Sequence, residues 1–246
     1  MKNILIFISP KKWFDDESSI LVKIQIDNSL DLGWKRDDIM LVTNFDYEYN
    51  GIKSLIVEDK YFCEYSPIST KLTTLIGLIE LDIIKENELY WCHDFDAFQL
   101  EQIQESDIEL GEADMALCDY GRLDKWAGGS MFFKKSCKDI LDKTKEIMDE
   151  RKAVDENAIT HLTRTDENIK KRIKKMNISY NFLVYNLHAC YKMAIKPLKV
   201  AHFHPFGGMV KMNIQNTLEF YKGNNKINTP LITKRLIKIF NQHGVK

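Results

Sequence analysis

Short apolar runs alternate along this chain with longer stretches whose apolar residues recur at helical spacing. Residues 3–8 carry the run Ile4-Leu5-Ile6-Phe7-Ile8 closed by Ser9-Pro10, the pattern of a buried strand feeding a loop. Residues 16–32 set Ile20, Leu21, Ile24 and Leu30 at helical spacing behind an acidic start, and Gly33 supplies the stop. Strands are predicted over 38–43 and 52–57 with a turn at 47–51, then a Pro67-containing loop over 61–69 and an apolar-rich helix over 70–85. A strand at Leu89-Tyr90-Trp91 runs into Asp94 and Asp96, followed by a short polar helix over 100–106. Beyond it come a strand over 115–120, a polar loop over 121–125, and Trp126 to Ser130 leading into a strand at Met131-Phe132-Phe133. Helices follow over 136–151 and from Asp155 to Leu162. The basic run 170–175 reads as a solvated helix face. Residues 180–187 fit strand or helix, and 199–204 is a late strand closed by Pro205-Phe206-Gly207-Gly208. The tail from Asn213 is polar around 223–228 and ends in a basic amphipathic helix over 230–240.

Strands alternating with helices predict an α/β fold, a mainly parallel sheet covered by helices in three layers. A chain of 246 residues accommodates this as one domain. With 35 basic and 36 acidic residues the net charge is −1, which removes any global electrostatic case for nucleic acid. Cys63, Cys92, Cys118, Cys137 and Cys190 contain no CxxC pair, so they are expected as reduced, buried thiols. The N-terminal apolar run is too short for a signal peptide or membrane span, and a cytosolic protein is expected.

The chemistry centres on Asp94-Phe95-Asp96. In an extended backbone residues i and i+2 project to one side, so both carboxylates leave the end of a buried strand together. Charge there is costly without a partner, and a hard divalent cation answers two co-directed carboxylates. Ligands of open parallel sheets collect beyond the carboxyl ends of the strands, where this pair sits. The motif and the order of elements over residues 1–211 resemble the metal-dependent nucleotide-sugar glycosyltransferases of the GT-A (Rossmann-like) fold. The resemblance implies that Asp94 and Asp96 hold Mn²⁺ or Mg²⁺ against the diphosphate of a nucleotide sugar, with UDP favoured. It implies a nucleotide-binding half over 1–98, an acceptor-binding half over 99–212 and a C-terminal helical tail over 213–246.

His202 and His204, followed by Gly207-Gly208 and Lys211, are similar to the C-terminal His-x-x-Gly segment of glycogenin-like transferases. That likeness implies a third metal ligand at one of the two histidines and a phosphate contact at Lys211; the family's Pro-Trp after the Lys is replaced by Met212-Asn213. Asp155-Glu156 is either a helix cap or the site of a general base, the latter as in inverting enzymes of this fold. Ser9, Asn44 and Lys71 stand at element ends where a nucleotide can rest, with Lys71 aided by a helix N-terminus. Trp126 with Gly128, Gly129 and Ser130 is expected on the acceptor side, the two glycines permitting either positive φ or close approach. The function expected is transfer of a hexosyl or deoxyhexosyl group to a saccharide hydroxyl, with inversion favoured and retention open; in a retaining enzyme the Asp155-Glu156 pair is expected to bind the donor sugar instead. The competing readings are a nucleotidyltransferase, whose Gly-rich signature is missing from Ser9-Pro10-Lys11-Lys12, and an inactive nucleotide- or glycan-binding module.

Overall fold

A computed structural model describes residues 1–121, 123–205, 207–223 and 230–246. The expected polar tail around 223–228, the loop position Arg122 and Phe206 of the His-x-x-Gly segment fall, from 224 on in the first case, outside the described residues. The strands are β1 (Lys2–Phe7), β2 (Ile39–Thr43), β3 (Glu48–Tyr49), β4 (Ile52–Ile56), β5 (Tyr90–His93), β6 (Ala97–Gln99), β7 (Met115–Asp119), β8 (Trp126–Phe133), β9 (Ile173–Lys175), β10 (Phe182–Leu183) and β11 (Val200–His202). The helices are α1 (Asp16–Asp31), α2 (Thr70–Glu80), α3 (Lys138–Arg151), α4 (Asp155–Thr165), α5 (Glu167–Lys171), α6 (Leu187–Cys190), α7 (Val210–Gly223) and α8 (Lys234–Gln242).

Among the described residues, eight strands form the main sheet in the order β3-β4-β2-β1-β5-β8-β7-β9. The neighbours β4, β2, β1 and β5 run parallel, as do β7 and β9, while β8 lies antiparallel between β5 and β7. The central strands are buried on both faces, and their continuous Ile/Leu/Val/Trp runs have that cause. One face packs on α2, α3 and α4 through Ile4, Leu75, Tyr90, Phe133 and Leu141; the other packs on α1 through Leu5, Val22, Ile26 and Leu41. A second sheet, β10-β11-β6, crosses the end of the first.

The expected strands at 3–8, 38–43, 52–57 and 115–120 match β1, β2, β4 and β7. Five expectations are corrected. The helix from Thr70 stops at Glu80, because Asp82 turns left-handed (φ 53°) and the amides of Ile83 and Ile84 both reach back to the Leu78 carbonyl, which returns Ile84 to the core. The predicted turn at 47–51 is a small hairpin, β3 with β4, bent at Asn50 and Gly51 with positive φ. In place of a helix over 100–106 there is irregular chain ending in a single 3₁₀ turn at Glu105–Asp107, and β6 forms just before it, directly after Asp96. Trp126 to Phe133 is one continuous strand, so Gly128 and Gly129 lie inside it. The basic run divides between α5 and β9, with Arg172 bonded to both Asp114 and Asp139.

Beyond these, α7 follows from Val210, Ile214, Leu218 and Tyr221, all buried on one stripe of the helix. Finally, α8 closes over the small sheet: Phe240 meets Phe98 edge-on at 5.1 Å, Arg235 bonds Asn28 Oδ1 at 2.6 Å and the Gln99 carbonyl at 3.2 Å, and His243 contacts Asp27 at 2.8 Å.

Candidate active site

The Asp94–Asp96 turn is fixed from behind by α1. Gln25, buried on that helix, donates to the carbonyls of Phe95 and Ala97 at 2.8 and 3.0 Å. The turn closes with the Ala97 amide on the Asp94 carbonyl at 3.0 Å, and the chain then enters β6. Because β6 pairs antiparallel with β11, His202 sits opposite Ala97, and the Phe203 amide donates to the Asp96 carbonyl at 2.8 Å. Two segments far apart in sequence thus deliver their side chains to one point.

There His202 Nε2 lies 3.2 Å from Asp96 Oδ1 and 4.0 Å from Asp94 Oδ2, while His202 Nδ1 meets Asn181 Oδ1 at 3.0 Å. His204 stacks on His202 with ring centroids 4.3 Å apart, and its buried Nε2 has no hydrogen-bond partner among the described residues. The ligand-type atoms of Asp96, His202 and His204 all lie within 4.8 Å of one another. Burial works against charge on all three. His202 nonetheless rises above the ordinary imidazole range because the Asp96 carboxylate outweighs it, and that partner lowers Asp96 in turn. His204 falls, from burial and from the neighbouring His202. His93, one residue before the motif, is a framework residue: buried, lowered to about 4 by desolvation, and bonded to Asn3.

A second group of charges adjoins this one. Lys71 Nζ donates to Asp94 Oδ1 and to the Gly128 carbonyl, both at 2.7 Å. Burial favours loss of its proton, but the Asp94 and Asp155 carboxylates raise its pKa above the ordinary lysine value. Asp155 is buried, accepts from Ser69 Oγ at 3.2 Å, and is raised by desolvation against the pull of Lys71. Its amide donates to Ser69 Oγ at 2.9 Å. Glu156 takes the Gly128 amide on Oε1 at 2.7 Å, and Tyr120 Oη at 2.5 Å with Lys125 Nζ at 3.4 Å on Oε2. Burial raises Glu156, but the Tyr120 and Gly128 hydrogen bonds carry its pKa below the ordinary value.

The glycines serve close approach. A Cβ on Gly129 would lie 2.2 Å from His202 Cε1, and one on Gly128 would sit 3.4–3.5 Å from Lys71 Nζ, Glu156 Cγ and Asp155 Oδ2. Ser130 is turned into the core, where its hydroxyl accepts the Trp91 indole at 2.8 Å. Trp126 is half-buried against α4 and donates to Thr163 at 2.9 Å. Buried Asn44 ties Ser9 to Asp59, accepting the Ser9 amide and donating to both its carbonyl and Asp59. Lys211 lies in the first turn of α7, its amide on Glu17 at 2.8 Å.

The structure therefore joins Asp94, Asp96, His202 and His204 with Lys71, Asp155, Glu156, Gly128 and Gly129, and sets Ser130 in the core. Residues that the sequence did not single out include Tyr120, Asn181 and an aromatic group at the carboxyl ends of β1 and β2. In that group Phe95, between the two aspartates, stacks on Phe7 at 5.9 Å, and Phe14, Phe45 and Tyr47 pack around it. Only Phe95 carried a sequence signal, through its place in the motif.

Several solved structures resemble this fold at low sequence identity. The galactosyltransferase LgtC, in complex with donor and acceptor sugar analogs, superposes with a TM-score of 0.57 at 13% identity, covering 82% of this chain and 87% of that one. A glycosyltransferase involved in glycosylation of the major capsid of PBCV-1 gives 0.53 at 11%, covering 84% and 95%. The chain has the GT-A fold. Mouse xyloside xylosyltransferase 1 shares it at 0.50 and 10% identity, over 82% of this chain and 96% of that one. No protein-family model and no curated protein matches the sequence. Within a GT-A frame, the Asp94–Asp96 turn occupies the carboxyl end of a central strand, β5. Among the described residues no helix is long and apolar enough to cross a membrane.

Proposed function

We propose that this chain is a metal-dependent glycosyltransferase, moving a sugar from a nucleoside diphosphate, UDP foremost, to a saccharide hydroxyl. One observation carries the reading: Asp96, His202 and His204 gather their ligand-type atoms within 4.8 Å at the strand ends of a GT-A fold, and His204 has a buried Nε2 with no partner among the described residues. A buried imidazole nitrogen without a partner is costly unless something fills the gap. A cation held by Asp96, His202 and His204, with Asp94 beside them, fits that gap. Two imidazoles in the donor set favour Mn²⁺ over Mg²⁺, which prefers oxygen alone. When bound, the cation neutralises the charge that develops on a departing diphosphate.

The protein's own groups divide the remaining work. Asn181 orients His202 through Nδ1 and leaves Nε2 directed at the carboxylates. Lys71 holds Asp94 in place through its 2.7 Å hydrogen bond. Ser9 and Asn44 shape the loop that receives the nucleotide, and Lys211 stands ready for phosphate at the start of α7. Of the acidic pair, Asp155 is the stronger base, since burial raises it whereas hydrogen bonds hold Glu156 down. We assign it the proton of the incoming hydroxyl, with inversion at the sugar carbon and the acceptor approaching past Gly128 and Trp126. Five free, buried cysteines suit a reducing compartment such as the cytosol.

Calorimetry of UDP with and without Mn²⁺, on wild type and Asp96→Asn, tests this reading. Binding that requires both Mn²⁺ and Asp96 supports it, and its absence in the wild type refutes it. NMR of the product's anomeric proton decides inversion.

A further inference from the structure

Glu156 is well placed to be mistaken for a base. Its two oxygens are already occupied: Oε1 by the Gly128 amide at 2.7 Å, and Oε2 by Tyr120 Oη at 2.5 Å and Lys125 at 3.4 Å. The Gly128 peptide is gripped from its other end as well, where its carbonyl accepts Lys71 Nζ at 2.7 Å. That same ammonium holds Asp94 Oδ1 at 2.7 Å. One residue on, the Gly129 carbonyl accepts the Asp94 amide at 3.0 Å, and the His202 ring lies flush on Gly129 where a Cβ would meet it at 2.2 Å. A continuous line of contacts therefore runs from Glu156 through the two glycines of β8 to Asp94 and His202.

We propose that Glu156 is a positioning residue that sets the Gly128–Gly129 backbone, and through it the spacing of Asp94, Lys71 and His202, rather than a group that exchanges protons. The inference rests on the metal-dependent reading above. Its chemical requirement is an acceptor atom at the right reach, not a negative charge. Glutamine meets that requirement: its Oε1 accepts the Gly128 amide, and its Nε2 donates to Tyr120 Oη. Aspartate keeps the charge but withdraws the carboxylate by one methylene, beyond the reach of Gly128.

The test pairs Glu156→Gln with Glu156→Asp, measuring Mn²⁺ affinity by calorimetry in the presence of UDP, together with kcat and the donor KM. Thermal melts establish that each variant is folded. We expect Glu156→Gln to stay within about fivefold of wild type in Mn²⁺ affinity and kcat, and Glu156→Asp to lose about tenfold in Mn²⁺ affinity, on the scale of groups that orient metal ligands. A drop in kcat of about a hundredfold in Glu156→Gln at unchanged Mn²⁺ affinity, the mark of a lost general base, would overturn the proposal. So would Glu156→Asp binding Mn²⁺ as the wild type does. Wild-type protein that binds no Mn²⁺ defeats the functional reading itself, a separate outcome from either.

Discussion

The two halves of the candidate site are built on opposite rules. Around Lys71, Asp155 and Glu156 each charge has partners at hydrogen-bond distance, and the group is tied into β8, α2 and α4. Around Asp96, His202 and His204 the imidazoles stack on each other, and one nitrogen is left without a partner although buried. Satisfied polar groups of this kind fix a framework, whereas an unsatisfied one in a well-packed setting marks where a ligand belongs. On the proposed reading the first half is the holding frame, with Asp155 its one reacting group, and the second is the binding half, where the cation would enter.

Asp96→Asn breaks the binding half most severely. It should lower kcat/KM about a thousandfold, or roughly 4 kcal/mol of transition-state stabilisation, and also lower the melting temperature of the apo protein, because the buried His202 loses its carboxylate partner. Steady-state kinetics with Mn²⁺ and UDP-sugars would measure it. Lys71→Met breaks the holding half and should act chiefly on folding. It strands two carboxylates that share one buried counter-charge, at a cost of about 3 kcal/mol in urea unfolding. If Lys71→Met proved as stable as wild type, the description of that half as framework would fail.

Metal addition sharpens the contrast. At a hundredfold excess over Kd, Mn²⁺ should stabilise the wild type by about 2.7 kcal/mol, reversibly with chelator. In His204→Phe, which preserves the ring stack and has no Nε2 hydrogen bond to lose, the apo protein should keep its stability while the metal-induced shift in melting temperature disappears. The smallest effect lies outside both halves, at the Arg172–Asp139 pair. Arg172 lowers the Asp139 pKa, so this contact stabilises above the unfolded carboxylate pKa and is lost as pH falls through the lower folded one. Asp139→Asn should therefore cost less than about 1 kcal/mol at pH 7, and the cost should shrink as pH falls into the acid range, by urea unfolding across that range.

Much of the frame was legible because its strands are buried on both faces and therefore continuously apolar. The Asp94–Asp96 pair was legible because period-two geometry at a strand end needs no long-range information. The pairing of β6 with β11 was not. It joins residues 97–99 to 200–202, and a three-residue strand carries too little pattern to announce itself beside a stronger Gln/Glu-rich helical reading. Gly128 and Gly129 read as the lead-in to a strand for a similar reason: what they accommodate, the His202 ring and the Lys71 ammonium, comes from elsewhere in the chain. Asn181 and Tyr120 had no local signature, since each acts only through a partner that folding brings to it.

The docking of α8 on β6 bears on when this molecule becomes able to bind. During synthesis, β1 through β5 and the Asp94–Asp96 turn emerge early, but Asp96 meets His202 only once β11 pairs with β6. That small sheet is in turn braced by Phe240 and Arg235. The nascent chain thus carries Asp94 and Asp96 long before His202 and His204 are made. The cluster that would hold a cation therefore depends on a pairing between segments about a hundred residues apart, and exists only once that pairing has closed.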